Sequence, residues 1–236
     1  MMFGDRLKTN LDTDFLKIIA VISMFIDHIG AVFFPQYPVF RWIGRLAFPL
    51  FCYCMTVGVL YTHDIKNYLA RIGLFAIISQ PFYVLAFNYN DFLGNIFNFN
   101  IFFTLFISLL GIWSFKERKI IFFIISIILL LFFNFDYGIT GLVLMIVFYV
   151  FRNKPFIGMI LYILCYISAI FTGSLDNPLS LCIGDFCIGF EIFAILCVPL
   201  IYIKMNTDIK IPKMFFYVFY PAHLLFIFVI RIIFRI

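Results

Sequence analysis

The sequence predicts an all-α, polytopic membrane protein: a helical bundle of about nine transmembrane helices with its N-terminus in the cytoplasm. Three observations predict it. First, of 236 residues 65% are hydrophobic and only 12% charged, where a soluble domain carries about 45–50% apolar and about 25% charged residues. The mean hydropathy is +1.11. Second, the apolar residues fall into long unbroken runs, which suit helices rather than a barrel. Third, the charges alternate in sign from loop to loop. The net charge of +5 is small and dispersed, which gives no footprint for nucleic acid. The 36 Phe residues fill lipid-facing and interhelical space.

Taken in order, the hydrophobic segments cover 13–34, 43–62, 66–88, 94–114, 118–135, 137–151, 155–173, 186–203 and 216–234. Most approach the roughly 20 residues that a spanning helix needs. The chain reads as one integral membrane domain over 1–236, without repeats. No cleavable signal peptide is expected, because residues 1–12 are polar and the first apolar run ends in Asp27 and His28 rather than at a small-residue cleavage site. With the N-terminus inside, the inner segments hold Arg6, Lys8, Lys66, Lys116, Arg118, Lys119, Arg152, Lys154, Lys204, Lys210 and Lys213, whereas the outer loops at 89–93, around 136 and at 174–185 hold only Asp91, Asp136, Asp176 and Asp185. This is the positive-inside pattern. Arg41 and Arg45 break it near the first outer loop, and Arg231 and Arg235 break it at the C-terminus.

Ionisable groups inside a span are costly, and function is the default hypothesis for them. His28 lies about 22 Å along the first segment, with Asp27 beside it. Gln80 lies at a similar depth in the third segment, Asn100 and Thr104 in the outer half of the fourth, Glu191 within two turns of the outer end of the eighth, and Arg45 at the start of the second. Five segments placing polar groups in one slab predict an outward-facing polar chamber. Interfacial snorkelling is the competing explanation; it suits Arg45, Asp91 and Asp136 better than it suits Asp27, His28 and Gln80.

On the first segment, Lys17, Val21, Met24 and His28 follow at intervals of 4, 3 and 4 residues and share a helix face. Lys17 and His28 are about 16 Å apart along it. A neutral imidazole can take a proton from an attacking amine or hydroxyl, and the lysine can hold a phosphate or other anion. The plainer alternatives are a snorkelling Lys17 and a packed, hydrogen-bonded His28. Asp27 is rotated about 100° from His28 and should face another helix, with Arg41 or Arg45 as its ion-pair partner. His223 falls mid-membrane in the last segment; Pro221, two residues earlier, frees a backbone carbonyl. It is either a second site histidine or a core hydrogen-bonding residue. His63 sits in a polar loop. Cys182 and Cys187 share one outer loop, as a disulfide or as free thiols. The spacing of Cys and His fits no metal site. HExxH, Walker, GxGxxG and GxSxG patterns are absent, and paired half-helices of the kind that flank a transporter's ion site are not visible.

The run LKIIAVISMFIDHIGAVFFP (16–35), followed by RWIGRLAFPLFCY (41–53), resembles the opening of the TraX family. The resemblance continues, in order, through YLARIGLFAIISQPFY, NIFFTL, DYGITG and FYVFYPAHLL. It departs at Gln80–Pro81, where one more residue would be expected between the two. TraX proteins are integral membrane proteins associated with N-acetylation of conjugative pilin. The basic residue eleven positions before a first-helix histidine also resembles acyltransferase-3 enzymes, which carry acyl groups from cytosolic acyl-CoA to acceptors across the membrane. The resemblance implies an acetyltransferase of the inner (cytoplasmic) membrane. Acetyl-CoA would be the donor substrate and a pilin or peptide N-terminus, or an envelope glycan, the acceptor, with no metal. His28 would be general base with Asp27 beside it. Lys17, Arg41, Arg45, Gln80, Asn100, Glu191 and His223 would line the substrate path, and Asn100 would donate to the thioester oxyanion. A lipid or small-solute transporter or flippase, and a non-catalytic assembly partner, are the alternatives from other classes.

Overall fold

A computed structural model describes residues 8–234. Its helices are α1 (Thr13–Phe33), α2 (Val39–Gly44), α3 (Ala47–Tyr61), α4 (Ile65–Asn88), α5 (Ile101–Lys116), α6 (Ile120–Phe132), α7 (Thr140–Val150), α8 (Pro155–Ile167), α9 (Cys197–Tyr202) and α10 (Lys213–Phe234), joined by one small hairpin of β1 (Leu181–Ile183) and β2 (Phe186–Ile188). By length and composition, four stretches can cross a membrane: Thr13–Phe33, Val39–Tyr61, Ile65–Asp91 and Lys213–Phe234. Five further apolar helices are shorter. The chain is thus a helical membrane protein. Arg6 and Arg235, which entered the charge pattern, lie outside the described residues.

Local chemistry sets the boundaries. Asp12 caps α1 by accepting from Phe15 N, and Pro35 and Pro38 follow its end, where helices stop. The expected 43–62 segment begins earlier and is broken between α2 and α3. Pro49 has no N–H and belongs in a first helical turn, where that donor is unused; α3 accordingly starts at Ala47. The expected 94–114 segment becomes helical only at Ile101. Before it, Asp91, Asn95 and Asn98 spend their side chains on local bonds: Gly94 N donates to Asp91 Oδ1 (3.1 Å), Asn95 Nδ2 to Asp91 O (2.8 Å) and Asn98 Nδ2 to Asn95 Oδ1 (2.7 Å). Such bonds compete with helix. The expected 186–203 helix is instead β2, a 3-10 stretch Phe190–Leu196, and α9.

The fold divides into two compact units, each made of two separated stretches of chain. The first takes the chain up to Cys54 together with Val147–Lys210; the second takes Met55–Ile146 and the chain from Ile211 onward. In the first unit α1 packs against α2, and the 3-10 stretch packs against α2 and α8. Leu16, Leu50, Tyr53, Tyr162 and Ile201 are fully buried. Its N-terminal segment is tied in by polar bonds: Asn10 N donates to Ile201 O (2.9 Å), Asn10 Nδ2 to Leu200 O (2.8 Å), and Tyr53 OH to Asn10 O (2.5 Å). In the second unit α4 packs against α10 and α5, and α5 against α6. Ile107, Leu130 and Leu142 form an apolar core there, flanked by Phe106, Phe123 and Ile127.

Of the four arginines that break the charge pattern, the three described ones have structural partners. Arg41 and Arg45 are paired with Asp27. Arg231 lies along α4 and donates to the carbonyls of Ala86 (3.0 Å) and Phe87 (3.2 Å), with its guanidinium over the Tyr89 ring, 4.6 Å from the centroid. It caps the C-terminal end of α4, whose last carbonyls lack intrahelical donors.

Candidate functional site

In the first unit the polar residues gather where α1 meets α2. Asp27 is buried on α1. Arg41 Nη1 reaches Asp27 Oδ2 at 2.5 Å and Arg45 Nη2 reaches Asp27 Oδ1 at 3.1 Å. Arg41 Nη1 also approaches Asp27 O at 3.4 Å. The i,i+4 spacing of the two arginines puts them on one face of the α2 turn, so one carboxylate is held by both guanidiniums. Close approach requires Gly44: a Cβ built there would overlap the Asp27 carboxyl group. Gly30 serves the same packing from the other side, since a Cβ there would overlap Phe40.

This arrangement matches the expectation that Asp27 turns away from His28 toward an arginine, and it uses both arginines rather than one. The cluster thus sets one carboxylate between two guanidiniums. The Arg45 guanidinium lies 4.8 Å above the Phe190 ring, a cation–π contact. Glu191 follows Phe190 in the 3-10 stretch. Its carboxylate lies beside Gly189, where an added Cβ would come 2.9 Å from Glu191 Oε2. Trp42 on α2 donates from Nε1 to Leu179 O (2.8 Å) and stacks on Phe193 at 4.7 Å.

His28 is half-buried on α1, one residue beyond the clamped aspartate. Val21 and Met24, on the face it was expected to share, are buried. Lys17 is about a quarter exposed and pairs with Asp14 Oδ1 at 3.0 Å. Its charge therefore has a local counterion one turn earlier, a partner that the spacing argument did not consider.

The second unit holds a different polar group. Gln80 Nε2 donates to Ile96 O and Asn98 O, both at 2.9 Å. Gln80 Oε1 accepts from Asn100 N (3.0 Å) and Asn100 Nδ2 (2.8 Å). Asn100 Nδ2 also donates to Ala76 O (2.9 Å), and Asn100 Oδ1 caps α5 by accepting from Phe102 N (2.9 Å). Asn100 is thus the helix cap, not a residue within the helix body as its place in the 94–114 segment implied. Both of its amide hydrogens are committed to Ala76 and Gln80, which removes the geometric basis for an oxyanion donor.

Nearby, Thr104 Oγ1 donates to Asp136 O (2.5 Å) and Tyr83 OH to Asp136 Oδ2 (3.2 Å). Tyr83 carried no signal in the sequence, being one of 13 tyrosines in an apolar chain.

His223 is buried on α10 at 4% exposure. Its Nδ1 lies 2.9 Å from Phe219 O. A carbonyl only accepts, so Nδ1–H is the donor and, in the neutral ring, Nε2 carries the lone pair. The ring stacks on Phe219 at 5.2 Å and meets Tyr220 edge-on at 5.4 Å. The candidate polar residues are therefore grouped by unit. Asp27, Arg41 and Arg45 are joined in the first, with Phe190 against Arg45; Gln80 and Asn100, both expected in the slab, are joined in the second; His223, expected mid-membrane, donates within its own helix.

Cys182 and Cys187 form a disulfide, which decides between the two states left open by the sequence. Among the described residues no group of three or more His, Cys, Asp or Glu is placed to hold a metal ion.

No solved structure matches the chain. A probable fimbrial assembly protein FimC, serogroup H1, of Dichelobacter nodosus is 37% identical over 82 residues, 32% of this chain and 34% of that protein. An uncharacterized protein of Rickettsia prowazekii (strain Madrid E) is 39% identical over 80 residues, 34% of this chain and 30% of that protein. The chain thus matches about a third of the length of these relatives. The family model described as TraX protein matches residues 12–231, nearly the whole described chain with its clamp, all three histidines and the paired amides, and the chain belongs to the TraX family.

Proposed function

We propose that the protein is a pilus-related acyltransferase of the inner membrane. In this reading it moves acetyl from cytosolic acetyl-CoA to an amine or hydroxyl acceptor on the far side, such as a pilin or peptide N-terminus or an envelope glycan. The observation that carries it is the half-buried His28 one residue from an aspartate clamped by two arginines. The clamp fixes the α1 turn that bears the imidazole, and its guanidiniums favour developing negative charge nearby. Family membership and the fimbrial assembly name of one relative support the link to pili.

In the step itself, the acceptor nitrogen attacks the thioester carbonyl carbon. The N–C bond forms, the C–S bond breaks, and the acceptor's proton passes to His28 and from there to the departing CoA thiolate. Asp27 does not take the proton, because its two oxygens accept from Arg41 and Arg45. Lys17 is the cation of α1 nearest its start and would meet an anionic donor group in exchange for Asp14.

Purified protein in nanodiscs, given radiolabelled acetyl-CoA and an amine-bearing peptide, tests this. Labelled product is expected. His28→Ala should lower transfer roughly 10²–10⁴-fold, the usual worth of a general base, with the helical circular-dichroism spectrum unchanged. Full activity in His28→Ala would remove the imidazole from the mechanism. Solute or lipid flux without covalent product would replace the enzyme with a transporter, and neither flux nor product would leave an assembly factor.

A further inference from the structure

The geometry points to the disulfide-closed hairpin β1–β2 as a bilayer anchor: Ile183 and Phe186 at its tip enter the lipid headgroup–acyl boundary at the end of α8. Leu181 pairs with Ile188, Cys182 with Cys187 and Ile183 with Phe186. Successive strand side chains alternate between faces, so the disulfide takes one face and the four apolar side chains take the other. At the tip, Ile183 is 75% exposed and Phe186 57% exposed. An exposed isoleucine–phenylalanine pair on a rigid two-stranded tip needs an apolar partner. The turn between them has Gly184 at φ +62°, a conformation glycine adopts freely, followed by the charged Asp185.

The occupant is identified by continuity. Along α8 and its 3-10 extension to Phe171, the side chains of Phe156, Ile157, Ile160, Leu164, Ile167 and Phe171 are all exposed. From Ile157 onward their spacing of three to four residues makes one helix stripe, the face that a membrane helix turns to lipid. The hairpin is fixed to the end of this stripe. Gly189 N donates to Ala169 O at 2.7 Å, β2 packs on the 3-10 turn Ser168–Phe171, and Gly173 lies so close to the Cys187 backbone that a Cβ there would overlap it. Trp42 holds the same loop through Leu179 O, and tryptophan is a usual residue of the membrane–water boundary. No Lys or Arg occurs from 155 to 203, and the Asp185 carboxylate in the turn limits the tip to the hydrated headgroup boundary. The disulfide keeps the tip from unpairing, and thus the apolar pair is presented as one rigid edge.

Phe186→Trp tests the anchor without disturbing the fold, since the side chain is exposed. The protein is reconstituted in phosphatidylcholine vesicles, and the added emission is read as the difference from the parent chain, which has two tryptophans. The anchor predicts blue-shifted added emission that phosphatidylcholine brominated at carbons 6 and 7 quenches more than lipid brominated at 11 and 12, with weak quenching by acrylamide. Added emission at the water wavelength, quenched by acrylamide and not by bromine, overturns it. Blue emission quenched by neither also overturns it, since protein, including a second copy of the chain, would then cover the tip. Replacing both Cys182 and Cys187 by Ser in the Phe186→Trp protein should lower the bromine quenching at least twofold; undiminished quenching would remove the disulfide from the anchor.

Discussion

Where α1 meets α2, a carboxylate sits between two guanidiniums; where α4 meets α5, two neutral amides close on each other and on five backbone groups. Both clusters join neighbouring helices of an apolar chain, yet they differ in what they leave over. Every amide hydrogen of Gln80 and Asn100 is spent inside the cluster, so it has no donor to offer a substrate. The charged clamp leaves Arg41 24% exposed. A polar group in lipid that is fully satisfied internally acts as a joint. One that keeps a charged group within reach of the surface can act on something else.

The largest expected effects fall on the clamp. Asp27→Ala leaves two partly buried guanidiniums without their counterion. Breaking a buried pair from one side costs about 3–5 kcal/mol, and the partial exposure of Arg41 places the expected loss near the lower end, about 3 kcal/mol. Unfolding in mixed detergent–SDS micelles would measure it, and an undiminished midpoint would show that the clamp is not a structural element. Removing Asp27 and both arginines together, as Asp27→Leu, Arg41→Leu and Arg45→Leu, should recover much of that stability while abolishing acetyl transfer. That outcome would separate the charge of the clamp from its packing.

The amide cluster should respond differently. Gln80→Leu strands Ile96 O, Asn98 O and Asn100 N, and a stranded buried group costs about 1–3 kcal/mol. With part of this loop able to reach water, the expected loss is about 2 kcal/mol, read in the same micelle titration. Specific acetyl transfer per folded molecule should stay within about twofold of the parent, because the amides have nothing to give a substrate. A hundredfold loss per folded molecule would contradict the reading of this cluster as a joint.

Gly44→Ala carries a smaller effect. The added methyl meets the Asp27 carboxyl, and small-to-large changes in a packed site cost about 1–3 kcal/mol. The helix end can shift to relieve it, so the expected loss is about 1 kcal/mol. It should be accompanied by reduced acetyl transfer, since the carboxylate that locates the His28 turn is displaced. A stable, fully active Gly44→Ala protein would detach the clamp from catalysis.

How far these features were legible in the sequence depends on which physical signal each one uses. The first segment, expected at 13–34, is helical over Thr13–Phe33, because an Asp cap and following prolines bound a long apolar run. The Asp27–arginine pairing followed from helix rotation, which turns Asp27 toward a neighbouring helix, and from the arginines at 41 and 45. The break before α3 was not read, because hydropathy counts Pro49 as one more residue in an apolar window. Asn100 was placed inside a helix for the same reason, although N-x-N patterns in FNFN signal side-chain competition for the backbone. The hairpin within 181–188 was legible in principle: CIGDFC sets Gly-Asp between apolar residues, a hairpin turn signal. It was masked by a hydrophobic window that ran from 186 to 203. What no pattern could supply is which carbonyl each long polar side chain reaches, as with Gln80 and Arg231, since that is decided by helix packing.

The smallest effect lies outside the membrane and contrasts with both clusters. Burial pushes the Asp12 carboxyl up, but donation from the Thr207 hydroxyl and from the Thr207 and Phe15 amides outweighs it and holds the group below its ordinary value of 3.8. Asp12 Oδ2 takes Thr207 N at 2.7 Å and Thr207 Oγ1 at 2.6 Å. A carboxyl whose folded value is depressed contributes stability that is present above its unfolded pKa and lost as pH falls through the folded one. The expected window therefore lies below about pH 4. Asp12→Asn should lower the unfolding midpoint slightly at pH 7 and flatten the loss of stability between about pH 4 and pH 2, whereas Gln80→Leu should leave that slope unchanged, because no group in the amide cluster titrates. An acid slope identical in Asp12→Asn and the parent would show that the tie between the α1 cap and Thr207 contributes nothing to folding.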